Sequence, residues 1–133
     1  MYPLILFLAL SLFGFAQSIT VTLSGITPPL GEVYLALYNS PKGFLKSQYA
    51  YQKVTRHATQ NFRYTFRNLP KGEYAIALYH DQNSNGKLDT NLFGIPNEPT
   101  GTSLNAPSRM GPPLYEEACF EVIHNLSLTI KLH

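Results

Sequence analysis

Between residues 80 and 101 the chain reads HDQNSNGKLDTNLFGIPNEPTG, and its opening half has the spacing of a calcium loop. Calcium is a hard cation that takes about six to eight oxygen ligands, and a loop supplies them from alternate positions. Asp81, Asn83 and Asn85 fill the first three ligand positions, Gly86 allows the sharp turn, Lys87 offers its backbone carbonyl, and Asp89 fills the ninth position directly or through water. Leu88 is the apolar residue that anchors such a loop to a core. The twelfth position is Leu92 rather than a bidentate Glu, and no helix pattern flanks the loop, so an EF-hand is excluded. Glu98 is the nearest later acid and can fold back. Two acids among the five ligands imply weak affinity, about 10⁻⁴–10⁻³ M, as in extracellular modules. The competing reading is a metal-free turn, because Asp, Asn, Ser and Gly also close turns through side chain–backbone hydrogen bonds.

Other chemistry is sparse. His80 beside Asp81 has the types for a general base oriented by a carboxylate, with Glu98 as a third member, in a hydrolase-like site. The plainer role for His80 is a hydrogen bond that closes its strand. His57, His124 and His133 have no metal-ligand spacing, and adjacent Glu116 and Glu117 point to opposite faces of a strand. No G-x-S-x-G elbow, P-loop, dinucleotide fingerprint or CxxC occurs. The reading is therefore non-enzymatic, with no catalytic residues assigned. Cys119, the one cysteine, cannot form an internal disulfide and is expected to be buried in a strand. Tyr34, Tyr38, Tyr74 and Tyr79 either share a sheet face with Arg63 and Arg67, an aromatic surface for sugar or protein, or form a face covered by the long loop.

These residues need a scaffold, and composition indicates one folded domain. The 133 residues are 44% hydrophobic and 14% charged, the reverse of a disordered chain. A net charge of +2 with scattered Lys and Arg excludes a nucleic-acid surface. Residues 2–16 are apolar, uncharged and end in Gly14-Phe15-Ala16, small residues at −3 and −1 of a signal-peptidase site, although no Lys or Arg precedes them. The stretch is shorter than a membrane span of roughly 18 or more residues. A signal peptide over 1–16 predicts a periplasmic or secreted domain at 17–133 with no transmembrane segment after cleavage. A buried first strand or helix is the alternative.

Period-two alternation predicts about seven strands, at 18–26, 32–39, 50–58, 61–69, 72–81, 118–124 and 126–133. The cleanest places Phe62, Tyr64 and Phe66 inward with Arg63, Thr65 and Arg67 outward. Short alternating strands and frequent turns predict an all-β antiparallel sandwich, immunoglobulin- or transthyretin-like. Close spacing predicts hairpins of 62–69 with 72–79 and of 118–124 with 126–133, and the last strand can pair with the first or with an edge. The segment from Asp81 to about Glu116 is too long for an idle connection. Its apolar residues Leu88, Leu92, Phe93, Ile95, Met110 and Leu114 predict that it packs down on the sandwich.

The run LPKGEYAIALYHDQNSNGKLDTNLFGIPNEPTG, with GPPLYEEACFEV after it, closely resembles the DUF2141 family of bacterial exported proteins. The matching positions include Gly72, Tyr74, His80, Asp81, Asn83, Asn85, Gly86, Asp89, Gly94, Pro96, Glu98 and Phe120. Asn97 and Pro99 stand where Lys and Gly are common, and both changes leave the loop acids intact. The resemblance implies fold and export and brings no established activity. The combined reading is an exported binding or structural module with a weak calcium loop at 81–89. The alternative is a metal-free surface at 81–101 for a protein or glycan partner.

Overall fold

The structure is a computed structural model that describes residues 16–133. The leader predicted at 1–16 lies outside the described residues, except for Ala16. The strands are β1 (Gln17–Ser24), β2 (Glu32–Tyr38), β3 (Gln52–His57), β4 (Arg63–Leu69), β5 (Gly72–Asp81), β6 (Thr100–Thr102), β7 (Phe120–Val122) and β8 (Leu126–Lys131), with a short α-helix, α1 (Tyr115–Ala118), and 3-10 turns at Ser47–Tyr49 and Ser103–Asn105. They form two sheets. One runs β4-β1-β8; the other runs β3-β2-β5-β6, with β7 also on β5.

The sheets pack because their inner faces are apolar at every second residue. Ile19, Val21 and Leu23 of β1, Val33, Leu35 and Leu37 of β2, and Phe66, Ile76, Leu78, Val122 and Ile130 make one buried core. The chain is thus the all-β sandwich that its alternation predicts. β8 pairs with β1, in parallel, with Ile19 opposite Leu126 and Ser24 opposite Lys131.

Both expected hairpins are absent. β4 pairs with β1 while β5 pairs with β2, so the Pro70-Lys71 link crosses from one sheet to the other. Alternation in β4 breaks at exposed Arg67 and Asn68, and Asn68 takes φ 57°, which turns Leu69 inward and redirects the chain. The Tyr74 hydroxyl donates to the Pro70 carbonyl at 2.7 Å and latches the crossing. β7 and β8 likewise lie in different sheets, and the Asn125 side chain accepts from the Ser18 N–H where β8 joins β1.

The long segment after Asp81 does pack down, through residues other than those expected. A second cluster of Tyr38, Ala75, Ala106, Tyr115 and Ala118 covers the outer face of the larger sheet, and Phe44 lies edge-on to Tyr38 and Tyr115. Of the residues expected to pack, Leu88 is half-buried, whereas Leu92, Phe93, Ile95, Met110 and Leu114 are exposed. β6 had no sequence signal, because Thr-Gly-Thr is too short to alternate. Cys119 follows α1 rather than sitting in a strand, and it is half-buried.

Ser103 joins these pieces. It is fully buried, and its hydroxyl accepts from the Ile76 N–H at 2.9 Å and donates to the Ala118 carbonyl at 2.6 Å. One side chain thereby continues the β5 ladder between β6 and α1. Ser103→Ala leaves a buried donor and a buried acceptor unmet and costs about 1–3 kcal/mol. Urea unfolding checks this, and an unchanged midpoint rules the bridging role out.

Candidate functional site

Strand alternation decides which side chains meet at the end of β5. Ile76, Leu78 and His80 face the core; Ala77, Tyr79 and Asp81 face the other way. Asp81 is fully buried beneath the following loop. Its Oδ1 accepts from the Asn85 N–H at 3.2 Å and its Oδ2 from the Gly86 N–H at 2.8 Å. Gly86 sits at φ +79°, a conformation that brings its N–H onto the carboxylate and that favours glycine.

Asn83, Asn85 and Asp89 of the predicted ligands converge on one another, while Lys87 joins through its N–H and not through the expected carbonyl. Asn83 Oδ1 also accepts from the Asn85 N–H, and Asn85 Oδ1 accepts from the N–H of exposed Lys87. The Asn83 amide donates to Asp89 Oδ2 at 2.7 Å, and the Asn85 amide donates to Asp89 Oδ1 at 2.7 Å and Oδ2 at 2.9 Å. The hydrogen bond from Asn85, then that from Asn83, holds the Asp89 carboxyl below its ordinary value.

Glu98 ties the loop shut. It is nearly buried, and its Oε2 accepts from the Gln82 N–H at 2.7 Å while its Oε1 accepts from the Asp89 N–H at 2.9 Å. It folds back, as its position allows, but onto backbone at both ends of the turn. The Asn97 N–H adds a bond to the Asp89 carbonyl at 2.8 Å.

Two tyrosines floor the loop. Tyr34 of β2 stacks on Tyr79 with ring centroids 4.8 Å apart and planes 1° from parallel. Burial, then the neighbouring Tyr34, Asp81 and Glu98, pushes Tyr79 up to about 12. Arg63 and Arg67 belong to β4 in the opposite sheet, so the tyrosine–arginine face considered from sequence does not form.

His80 and Asp81 project to opposite faces of β5, so they do not make the base–carboxylate pair that a hydrolase reading needs. His80 Nε2 donates to the Leu30 carbonyl, which closes the strand end in the plainer role. Gly31 lets that loop approach: at φ +76°, a Cβ there would lie 2.0 Å from the Asp81 carbonyl oxygen. Burial, then the charge of Glu73, pushes the Cys119 thiol up, the reverse of an activated nucleophile.

The loop carries more negative than positive charge, with Lys87 acting on Asp89 through space rather than in an ion pair. Asp81 and Glu98 are buried, and among the described residues neither they nor Asp89 has an ion-pair partner; the ion pair present is Arg109 with Glu117, elsewhere. Among the described residues no three His, Cys, Asp or Glu side chains group as a metal cluster. A cation here would rest on Asp81 and Asp89 together with neutral amide and carbonyl oxygens. That donor set suits calcium rather than a transition metal. Turning the Asn83 and Asn85 amides by about half a turn about their last bond exchanges N–H for C=O toward the centre.

Glu98→Ala frees both N–H groups it holds. Hydrogen exchange at Gln82 and Asp89 should then accelerate by about ten-fold or more, as expected for bonds to a charged acceptor. Unchanged exchange at both amides would remove Glu98 from this role. Asp89 itself should titrate below 3.8 by NMR. Its lowered value means that its contribution to stability is present above the unfolded carboxylate value and is lost as pH falls through the folded one.

The comparisons with known proteins give a family and nothing finer. The family model described as "Uncharacterized protein conserved in bacteria (DUF2141)" matches residues 21–131, which span all the strands but the start of β1. No curated protein and no solved structure matches. A match over most of the chain, on the fold and loop described above, makes this protein a member of the DUF2141 family.

Proposed function

We propose that this chain is an exported, non-enzymatic β-sandwich module whose 81–89 loop binds calcium weakly. One observation supports the reading above the others. Asp81 and Glu98 are buried carboxylates, Asp89 lies beside them, and among the described residues no Lys or Arg pairs with any of the three. Buried charge is costly unless it is compensated. Backbone N–H groups compensate in part, and a divalent cation would supply the missing positive charge. Asp81 and Asp89 would bind it as carboxylates, Asn83 and Asn85 through amide oxygens, and Lys87 through its backbone carbonyl. Glu98 would position the loop. Export to the periplasm or outside the cell, with removal of residues 1–16, fits a site that works at millimolar calcium.

A second reading keeps the loop free of metal and makes 81–101 a contact surface for a protein or glycan. The exposed Leu92, Phe93 and Ile95 favour it.

A thermal melt in EDTA and in calcium separates the two. At about 100 times Kd, calcium adds about 2.7 kcal/mol, which raises the midpoint of a domain this size by several degrees. The rise should vanish in Asp89→Asn, which keeps the shape of the side chain, and magnesium should give less. No rise in the parent protein would leave the carboxylates as turn formers and favour the second reading.

A further inference from the structure

Beyond the calcium loop, a small turn stands out from the end of the sandwich. Thr90 and Pro96 bridge across it, and between them Leu92, Phe93 and Ile95 are 102%, 89% and 59% exposed. The turn is built rather than loose. Asn91 Oδ1 accepts from the Phe93 N–H at 2.9 Å and the Ile95 N–H at 3.0 Å. The Asn91 N–H donates to the Ile95 carbonyl at 2.9 Å, the Gly94 N–H to the Asn91 carbonyl at 3.0 Å, and the Asn97 N–H to the Asp89 carbonyl. Residues 90–97 include no charged side chain.

We propose that this tip inserts into the interfacial layer of a zwitterionic phospholipid bilayer. Three features select that occupant. The first is size: a specific protein interface takes about 800 Å² and roughly 20–30 residues from each partner, so a protein would have to engage the wider 81–101 surface, whereas shallow insertion needs only the few apolar side chains of this tip. The second is the backbone. Its N–H groups are mostly spent inside the turn, as an apolar medium requires, and none of those is left to add a strand of a partner protein. The third is charge. Residues 81–98 carry Asp81, Asp89 and Glu98 against Lys87, a negative balance that opposes an anionic surface and tolerates a zwitterionic one.

The chain contains no Trp, so Phe93→Trp gives a single fluorescent reporter at the tip. The probe is phosphatidylcholine vesicles, with and without phosphatidylglycerol, in EDTA throughout; the proposal does not rest on calcium, and its failure says nothing about that site. The expected result is a blue shift of the tryptophan emission in Phe93→Trp and co-sedimentation with phosphatidylcholine vesicles, nearly independent of salt and weaker as phosphatidylglycerol is added. Leu92→Asp and Ile95→Asp, both at exposed positions, should leave the melt unchanged and each weaken binding by about ten-fold or more. Absence of binding overturns the proposal, as does binding that the Asp variants leave intact. Binding that appears only on anionic vesicles and disappears in salt also overturns it. A blue shift without vesicles, with a doubled mass in light scattering, overturns it too and assigns the tip to a second copy of this chain.

Discussion

The alternation of β5 is the constraint from which the rest follows. It is the longest strand, and β2, β6 and β7 all pair with it. Its period of two sends Ile76, Leu78 and His80 into the core and Ala75, Tyr79 and Asp81 outward. The inward set joins the two sheets. The outward set starts with an alanine that admits the Tyr38–Tyr115 cluster and ends with the carboxylate on which the loop is built. A shift of register by one residue would exchange these roles and bury the loop's anchor in the wrong layer.

The loop is organised by acceptors rather than by apolar packing. Asp81 gathers two N–H groups at its start, Glu98 gathers two that bracket it, and Asp89 is held by two amides. Such a network is local and short in sequence, so it forms wherever β5 ends correctly. It also concentrates negative charge at one end of a protein whose overall balance is slightly positive. Stability and candidate function therefore use the same side chains.

Much of this was legible in the residues. Alternation in 32–39 and 61–69 located β2 and β4, and the D-x-N-x-N-G-x-x-D spacing located the loop. Pairing was less legible, because a short link between two strands looks the same whether it turns a hairpin or crosses between sheets. The choice rests on Asn68 in a left-handed conformation and the latch from Tyr74, which are not properties of spacing. The same limit hid Ser103: a lone serine carries no signal until it lies beside Ile76 and Ala118. Hydrophobicity was misleading for Leu92, Phe93 and Ile95, since composition counts apolar residues without knowing that the Asn91 turn holds them out in solvent.

The parallel pairing of β8 with β1 has a kinetic side. The three-stranded sheet has β1 at its centre, and one of its neighbours comes from the far end of the sequence. Contacts of such wide sequence separation are slow to form, because nearly the whole chain must be looped before they give anything back. Until then β1 has an open edge carrying Ile19, Val21 and Leu23. A chain that is synthesised from its N-terminus holds that edge unpaired until residues 126–131 arrive, so β1 waits for β8, and an unpaired strand edge of this kind is a template for pairing with other chains until then.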